Sequence, residues 1–374
     1  MDLIAKQQSF NLPIYMTQIN HSHLWPGAPL ALGAAAAFGV STPLAKLFMG
    51  SIDPWMMAGL LYLGSGLGLG ILIAFRKLTG SASAEAKLTR RDIPWLAGTV
   101  VFGGILGPVL LMFGLNLTDA ASASLLLNLE AVFTLLLAWI VFREHVDRRL
   151  FIGAVAIVAG ALLLSWQGEI GQGEIGKFSW GIILIALACL SWAIDNNLTR
   201  KISAADPFIL AALKGWVAGS VNTALALYAG AHWPELANLS GAMLLGFVSY
   251  GLGLVLFIFA LRYLGTARTG AYYGTAPFIG AIFAAIILGT SLTATILIAG
   301  LLMALGAWLH LAERHEHEHF HTELEHEHAH VHDEHHQHTH DDDVTEPHSH
   351  MHRHKVLRHK HVHYPDLHHR HGHG

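Results

Sequence analysis

"AASASLLLNLEAVFTLLLAWIVFREHVDRRLFIGAVAIVAGALLL", residues 120–164, decides the fold. Two apolar runs flank one charged turn, and each run has the roughly 18 to 25 residues that an α-helix needs to cross a bilayer core. In hydrocarbon every backbone N–H and C=O must be satisfied within its own segment, so helix is the workable form. Outward from this pair the same pattern fills the chain from Pro29 to Leu309 and gives ten spans: 29–49, 54–75, 93–115, 119–142, 149–166, 179–199, 207–231, 239–262, 267–289 and 291–310. A soluble enzyme is excluded. Composition agrees, with 53% hydrophobic residues and 13% charged, about half the usual charged share. Trp25, Trp55, Trp95, Trp166, Trp180, Trp233 and Trp308 fall at or near span ends, where an indole keeps its ring in lipid and its N–H among headgroups. The single cysteine, Cys189, allows no internal disulfide and reads as a small packing residue.

Orientation follows from Lys and Arg in the loops. The even-numbered loops hold Arg76, Lys77, Lys87, Arg90, Arg91, Arg143, Arg148, Arg149, Arg200, Lys201, Arg262 and Arg268, whereas the odd-numbered loops hold Lys177. Both termini are therefore expected in the cytoplasm of a multi-pass protein of the cytoplasmic membrane. Residues 1–28 read as a short polar cytoplasmic extension rather than a cleavable signal.

The chain also repeats itself. Residues 114–164 lie on 260–310 without a gap, matching Leu115 with Leu261, Ala121 with Ala267, Ala138 with Ala284, Ile152 with Ile298 and Gly160 with Gly306. Asp53-Pro54 recurs as Asp206-Pro207, each opening the second span of its half. Five spans per half is an odd number, so the second half enters the membrane inverted. The fold expected is an all-α integral membrane protein: repeat 1 over 29–166, repeat 2 over 179–310, and a disordered His-rich cytoplasmic tail over 311–374. Inverted repeats are a recurring architecture of secondary transporters, with substrate near the midplane between the halves.

The stretch quoted above resembles the end of an EamA domain of the drug/metabolite transporter superfamily. The family's form is small residues, a Leu-rich run, LEPVF, a short GE turn and a closing GxxxIxxG helix. The resemblance covers both halves and is stronger in the first. It implies a ten-helix secondary transporter of small metabolites, working as an exporter. Two departures stand out: Ala131 replaces the proline after Glu130, and the turn reads Phe142-Arg143-Glu144. The second half keeps the proline as Pro277 but has Ala276 in place of the acid. The fourth helix is thus expected to lack the family kink.

Ionised side chains at the centre of a span cost about 2.5–3.5 kcal/mol on insertion scales, which makes the few that occur functional candidates. Glu130 lies near the middle of the fourth span, with Asn128 and Thr134 close by. It reads either as a coupling or cation-binding carboxylate or as a protonated glutamate bonded to a neighbouring helix. In the sixth span Trp192, Asp195 and Asn196 form a dense polar interruption, and Ser41-Thr42-Pro43 occupies the same place in the first half. Paired interruptions of this kind point to a transporter site, while Asp195 pairing locally with Arg200 is the plainer account. Lys46 and Lys214 are expected to snorkel to the headgroups. Tyr250, Tyr272 and Tyr273 line a cavity or simply pack. Gly64, Gly66, Gly68 and Gly70 form a face for close helix approach.

After Leu311 the composition changes. Of 28 histidines, 23 lie between His315 and His373. They run mostly as His-x-His: His315, His317, His319 and His321; His326, His328, His330 and His332; His348, His350, His352 and His354; His359, His361 and His363. Neutral imidazole suits Zn, Ni and Co, and without a thiolate weak, exchangeable binding is expected rather than a closed structural site. A solvated acidic tail and a pH sensor are the competing readings.

The function expected is secondary-active export of a small metabolite or of a divalent transition metal, with no cofactor required. Its partners are membrane lipid and the substrate, and a homodimer stays open. The alternative is a membrane-anchored metal buffer or sensor without transport. No nucleophile or phosphate loop points to an enzyme. A tail with more acids than fixed positive charges gives no support for nucleic-acid binding.

Overall fold

The computed structural model describes residues 26–79, 88–141, 148–165, 180–199, 201–202, 205–311, 316–321, 324–330, 348–354 and 357–362. The N-terminal extension, the 142–144 turn, Lys87, Lys177, Arg200 and the histidines at 315, 332 and 363 lie outside them. Among the described residues eight helices are long and apolar enough to cross a membrane, and two shorter apolar helices, Ala276–Leu288 and Ala294–His310, complete the set of ten. This is an all-helical multi-span membrane protein.

The first span is α1 (Gly27–Phe48) and the second α2 (Pro54–Leu78). The third runs through α3 (Ile93–Thr99), a π-helical stretch at Val100–Leu106 and α4 (Gly107–Asn116). The fourth comprises α5 (Ala120–Leu126) and α6 (Leu129–Val141), and the fifth is α7 (Arg148–Ser165). The second set begins with α8 (Trp180–Thr199) and α9 (Pro207–Tyr228). Its third member runs through α10 (Leu236–Gly246), a second π-helical stretch at Phe247–Leu252 and the start of α11 (Gly253–Tyr273). Then come α12 (Ala276–Leu288) and α13 (Ala294–Leu311).

Local chemistry repeats between the two sets. Asp53 accepts from the backbone N–H groups of Trp55 and Met56 at 2.8 and 3.1 Å, and Asp206 accepts from Phe208 N–H at 2.9 Å. Each aspartate is an N-cap and each following proline takes the first turn, where its missing N–H costs nothing. The fourth span breaks at Leu127-Asn128 and its counterpart at Gly274-Thr275. The expectation of an unkinked fourth helix is thus corrected. Replacing the proline by Ala131 does not restore continuity, and Asn128 donates its side-chain amide to Leu125 O at 2.8 Å, offering the backbone an alternative to the helical ladder.

α11 is not straight. The rings of Phe257 and Tyr273 lie 4.7 Å apart, whereas sixteen residues of straight helix would separate them by about 24 Å. The chain doubles back between them, in the interval that holds the expected loop at 262–266.

Packing crosses between the two sets. α1 packs chiefly on α11 and α12, and α8 packs chiefly on α4 and α6, so each opening helix lies against the other set. α2 runs against α9, and α7 against α13. Glycines make the α2 contacts possible: a Cβ on Gly66 would meet the Trp216 backbone at 2.6 Å, and one on Gly64 would strike the backbone of Met243. Close approach thus requires Gly64, Gly66 and Gly68, where a Cβ would clash, but not Gly70, where it would make an ordinary contact.

In the tail the described residues are four short segments. Strands β1 (Glu316–His321) and β4 (Leu357–Val362) pair antiparallel, as do β2 (Leu324–His330) and β3 (His348–His354).

Candidate functional site at the helix crossing

Five polar side chains from three spans meet where α8 crosses α6 and α9. From α9, Lys214 donates to Asp195 Oδ2 on α8 at 2.5 Å, and Thr199 donates to Asp195 Oδ1 at 3.1 Å. Asp195 is 6% exposed and Lys214 9%. In so apolar a setting each charge makes the other tolerable. The expectation that Lys214 snorkels to a headgroup is therefore wrong: its partner is a carboxylate inside the bundle. Lys46 does not snorkel either. It donates to the carbonyls of Leu115 and Thr118 at 2.5 and 3.0 Å, and Leu115 lies in the carbonyl-rich last turn of α4.

The third span covers the pair. Its π-helical stretch frees backbone carbonyls from regular helical bonding, and three side chains take them. Tyr62 O–H donates to Gly103 O at 2.6 Å, Trp192 Nε1–H to the same oxygen at 3.2 Å, and Asn222 Nδ2–H to Gly104 O at 3.1 Å. A Cβ on Gly103 would lie 2.5 Å from Lys214 Nζ and overlap the Asp195 carboxylate. Glycine at 103 is thus what lets the π-helical stretch close over the ion pair.

Glu130 lies near that pair but is bonded to a different residue of α8. It stands in the first turn of α6, just after the break, where the helix dipole favours a carboxylate. Its Oε1 accepts from Asn196 Nδ2 at 2.6 Å. Glu130 is half-buried and Asn196 exposed. Adjacent residues of α8 thus serve two carboxylates, one sealed and one reachable.

Aromatic rings fill the neighbouring centre. Phe38 contacts Trp192, Tyr250 and Tyr273 at 5.9, 5.8 and 5.8 Å, and Tyr62 contacts Tyr250 at 5.3 Å. The residues expected from sequence divide accordingly. Glu130, Asp195, Asn196, Trp192 and Tyr273 come together with Tyr250. Ser41 joins them, donating its hydroxyl to Phe38 O at 2.6 Å and standing in hydrogen-bonding contact with Tyr250, whereas Thr42 is buried with no hydrogen-bond partner among the described residues. Asn128 faces Met303 on α13, and Tyr272 packs with Ala31, Ala260 and Leu264.

Sequence reading missed Tyr62, Gly103, Asn222 and the true role of Lys214. One signal was available: Lys214, Ala218 and Asn222 recur every fourth residue and share a helix face. Among the described residues no group of three or more His, Cys, Asp or Glu side chains is assembled to hold a metal ion.

The family model for the EamA-like transporter family matches residues 25–166 and again 179–312. The chain belongs to the EamA-like transporter family. This is a family of transporters and not of enzymes, and the two matches make tandem EamA domains. An "uncharacterized transporter" of Methanothermobacter thermautotrophicus is 28% identical over 295 residues, covering 76% of this chain and 86% of that protein. A Salmonella typhimurium protein named "probable amino-acid metabolite efflux pump" is 26% identical over 297 residues, covering 75% and 93%. A crystal structure superposes with a TM-score of 0.56 at 16% identity, over 76% of this chain and 94% of that one, and shows a shared fold.

Proposed function

We propose that this EamA-family transporter is a proton-coupled exporter of small amino-acid-like metabolites, working by alternating access between two inverted five-helix halves. The observation that carries the reading is the contrast between its two intramembrane carboxylates. Asp195 is neutralised by Lys214 and bonded at both oxygens. Glu130 is reachable and held by a neutral amide. An amide serves either protonation state: its N–H donates to a carboxylate, and its oxygen accepts from a carboxylic acid.

Glu130 is then the group for which a proton and a substrate ammonium compete. A proton taken up on the outer side is released inward as substrate binds from the cytoplasm, and net export follows. The aromatic rings beside it offer faces to an ammonium or an apolar side chain. Carboxylates, an amide and an ammonium are poor discriminators for a soft divalent metal, so the site chemistry favours an organic cargo. The name of the Salmonella relative supports the same class of cargo.

Inside-out vesicles carrying the protein and energised by a proton gradient test this with a mixture of labelled amino acids. Wild type should accumulate label. Glu130→Gln should lose accumulation while still exchanging label for unlabelled substrate. Equal accumulation by the variant over a range of pH would remove Glu130 as the coupling group.

A further inference from the structure

One three-helix cluster occurs twice in this chain, once shut and once open. The sequence repeat matches Thr42 with Asn196 in the opening helices, and Ser124 with Gly270, Glu130 with Ala276 and Thr134 with Gly280 in the fourth spans. In the first cluster α1, α5 and α12 close on one another. A Cβ on Gly280 of α12 would lie 2.7 Å from both Gly39 O of α1 and Ser124 Oγ of α5. Thr42, Ser124 and Ala276 are each only 1% exposed.

The matching cluster is α8, the returning end of α11 and α6. α8 reaches α6 through the Asn196 and Glu130 side chains, but among the described residues α6 does not pack on α11 as α12 packs on α5. A Cβ on Gly270 meets nothing within 4 Å there, Asn196 is exposed, and Glu130 and Thr134 are half-buried. On the orientation given by the loop charges, the shut cluster lies outside the midplane and the open one on the cytoplasmic side.

Two inverted copies of one fold can exchange arrangements, each adopting the one the other now has, and the exchange moves access across the membrane. We propose that the two clusters are reciprocal gates. The outer gate opens when the returning end of α11 moves onto α6, setting Gly270 against Thr134 as Gly280 now lies against Ser124. Each closed gate thus seats one glycine on one hydroxyl residue. Glycine at 270 serves closure rather than present packing. This inference rests on the alternating access proposed above, but not on Glu130 being the coupling group.

Gly270→Ala and Gly270→Phe in the full-length protein test it. Space around this position admits either side chain, so both variants should insert and melt like wild type. The phenyl ring would then prop the cytoplasmic gate, and initial transport of the labelled amino-acid mixture should fall on the order of tenfold or more, with a smaller loss for Ala. Gly50→Phe is the control, since a Cβ there also meets nothing within 4 Å. A second readout needs no cargo. In a Cys189→Ala background, Thr134→Cys and Gly270→Cys are joined by mild oxidation while Ser124→Cys is alkylated by a membrane-impermeant maleimide from the outer face. Labelling at 124 should be slow before oxidation, rise on the order of tenfold after it, and fall again on reduction. Wild-type transport by Gly270→Phe, a 134–270 disulfide that leaves labelling at 124 unchanged, or no such disulfide in protein that still transports would each overturn the proposal. Reciprocal labelling beside a fully active Glu130→Gln variant would keep the gates and remove the coupling group.

Discussion

Phe38 and Trp192 sit 154 residues apart in the opening helices of the two EamA domains, and their rings meet edge-on with centroids 5.9 Å apart. Matching positions of the two domains thus touch each other at the centre of the molecule. Around this contact the domains differ. Only the Trp192 side carries Asp195 and Asn196 within the next turn, whereas the Phe38 side carries Ser41 and Thr42. A symmetric frame therefore holds an asymmetric set of charges.

Asp195→Asn or Lys214→Met alone should destabilise the protein strongly, by about 3–5 kcal/mol, because each leaves a buried charge without its partner. The double variant should recover most of that loss. Thermal unfolding in detergent measures the three, and single variants that melt like wild type would mean that the pair is solvated.

Gly103→Ala should impair both stability and transport, since the added methyl group has no room between the third span and the ion pair. A destabilisation of about 1–3 kcal/mol is expected for overpacking of this kind. Gly70→Ala is the control: its Cβ would meet Trp216 Nε1 at 3.4 Å, an ordinary contact. The same melting assay, run beside vesicle transport, distinguishes the two glycines.

Reporter fusions after Leu311 should report a cytoplasmic tail, and insertions in 168–178 should face outward, following the split of loop charges. A tail open to protease on intact cells would reverse the orientation.

A chain ending at Glu313 should insert and transport as the full chain does, because every span is complete before that point. Expression level and initial transport rate are the measurements. Loss of transport with normal insertion would make the tail part of the carrier cycle.

The ten spans, the Asp-Pro caps and the glycine face were legible because each depends on residues close in sequence: a hydropathy run, a cap with its proline, a spacing of small residues. The polar partners were less so. Glu130 and Asp195 stood out as isolated charges, but the residues that neutralise or hold them come from other spans. No single-sequence rule says that position 214 faces position 195. The π-helical stretches were invisible for a related reason: Val100–Leu106 reads as ordinary apolar helix, and the side chains that bond its carbonyls donate from α2, α8 and α9.

The crossing of opening helices has a consequence for biosynthesis. α1 enters the bilayer first, yet its packing partners, α11 and α12, are encoded more than two hundred residues later. At about 5–20 residues per second, that helix waits on the order of 10 to 50 seconds before its chief neighbours are made. Throughout that interval its small-residue face, including Ala31, Ala34 and Ala35, has only lipid, the insertion machinery or earlier helices to lie against. Assembly of this carrier is thus completed late, when the end of the chain reaches back to claim its beginning.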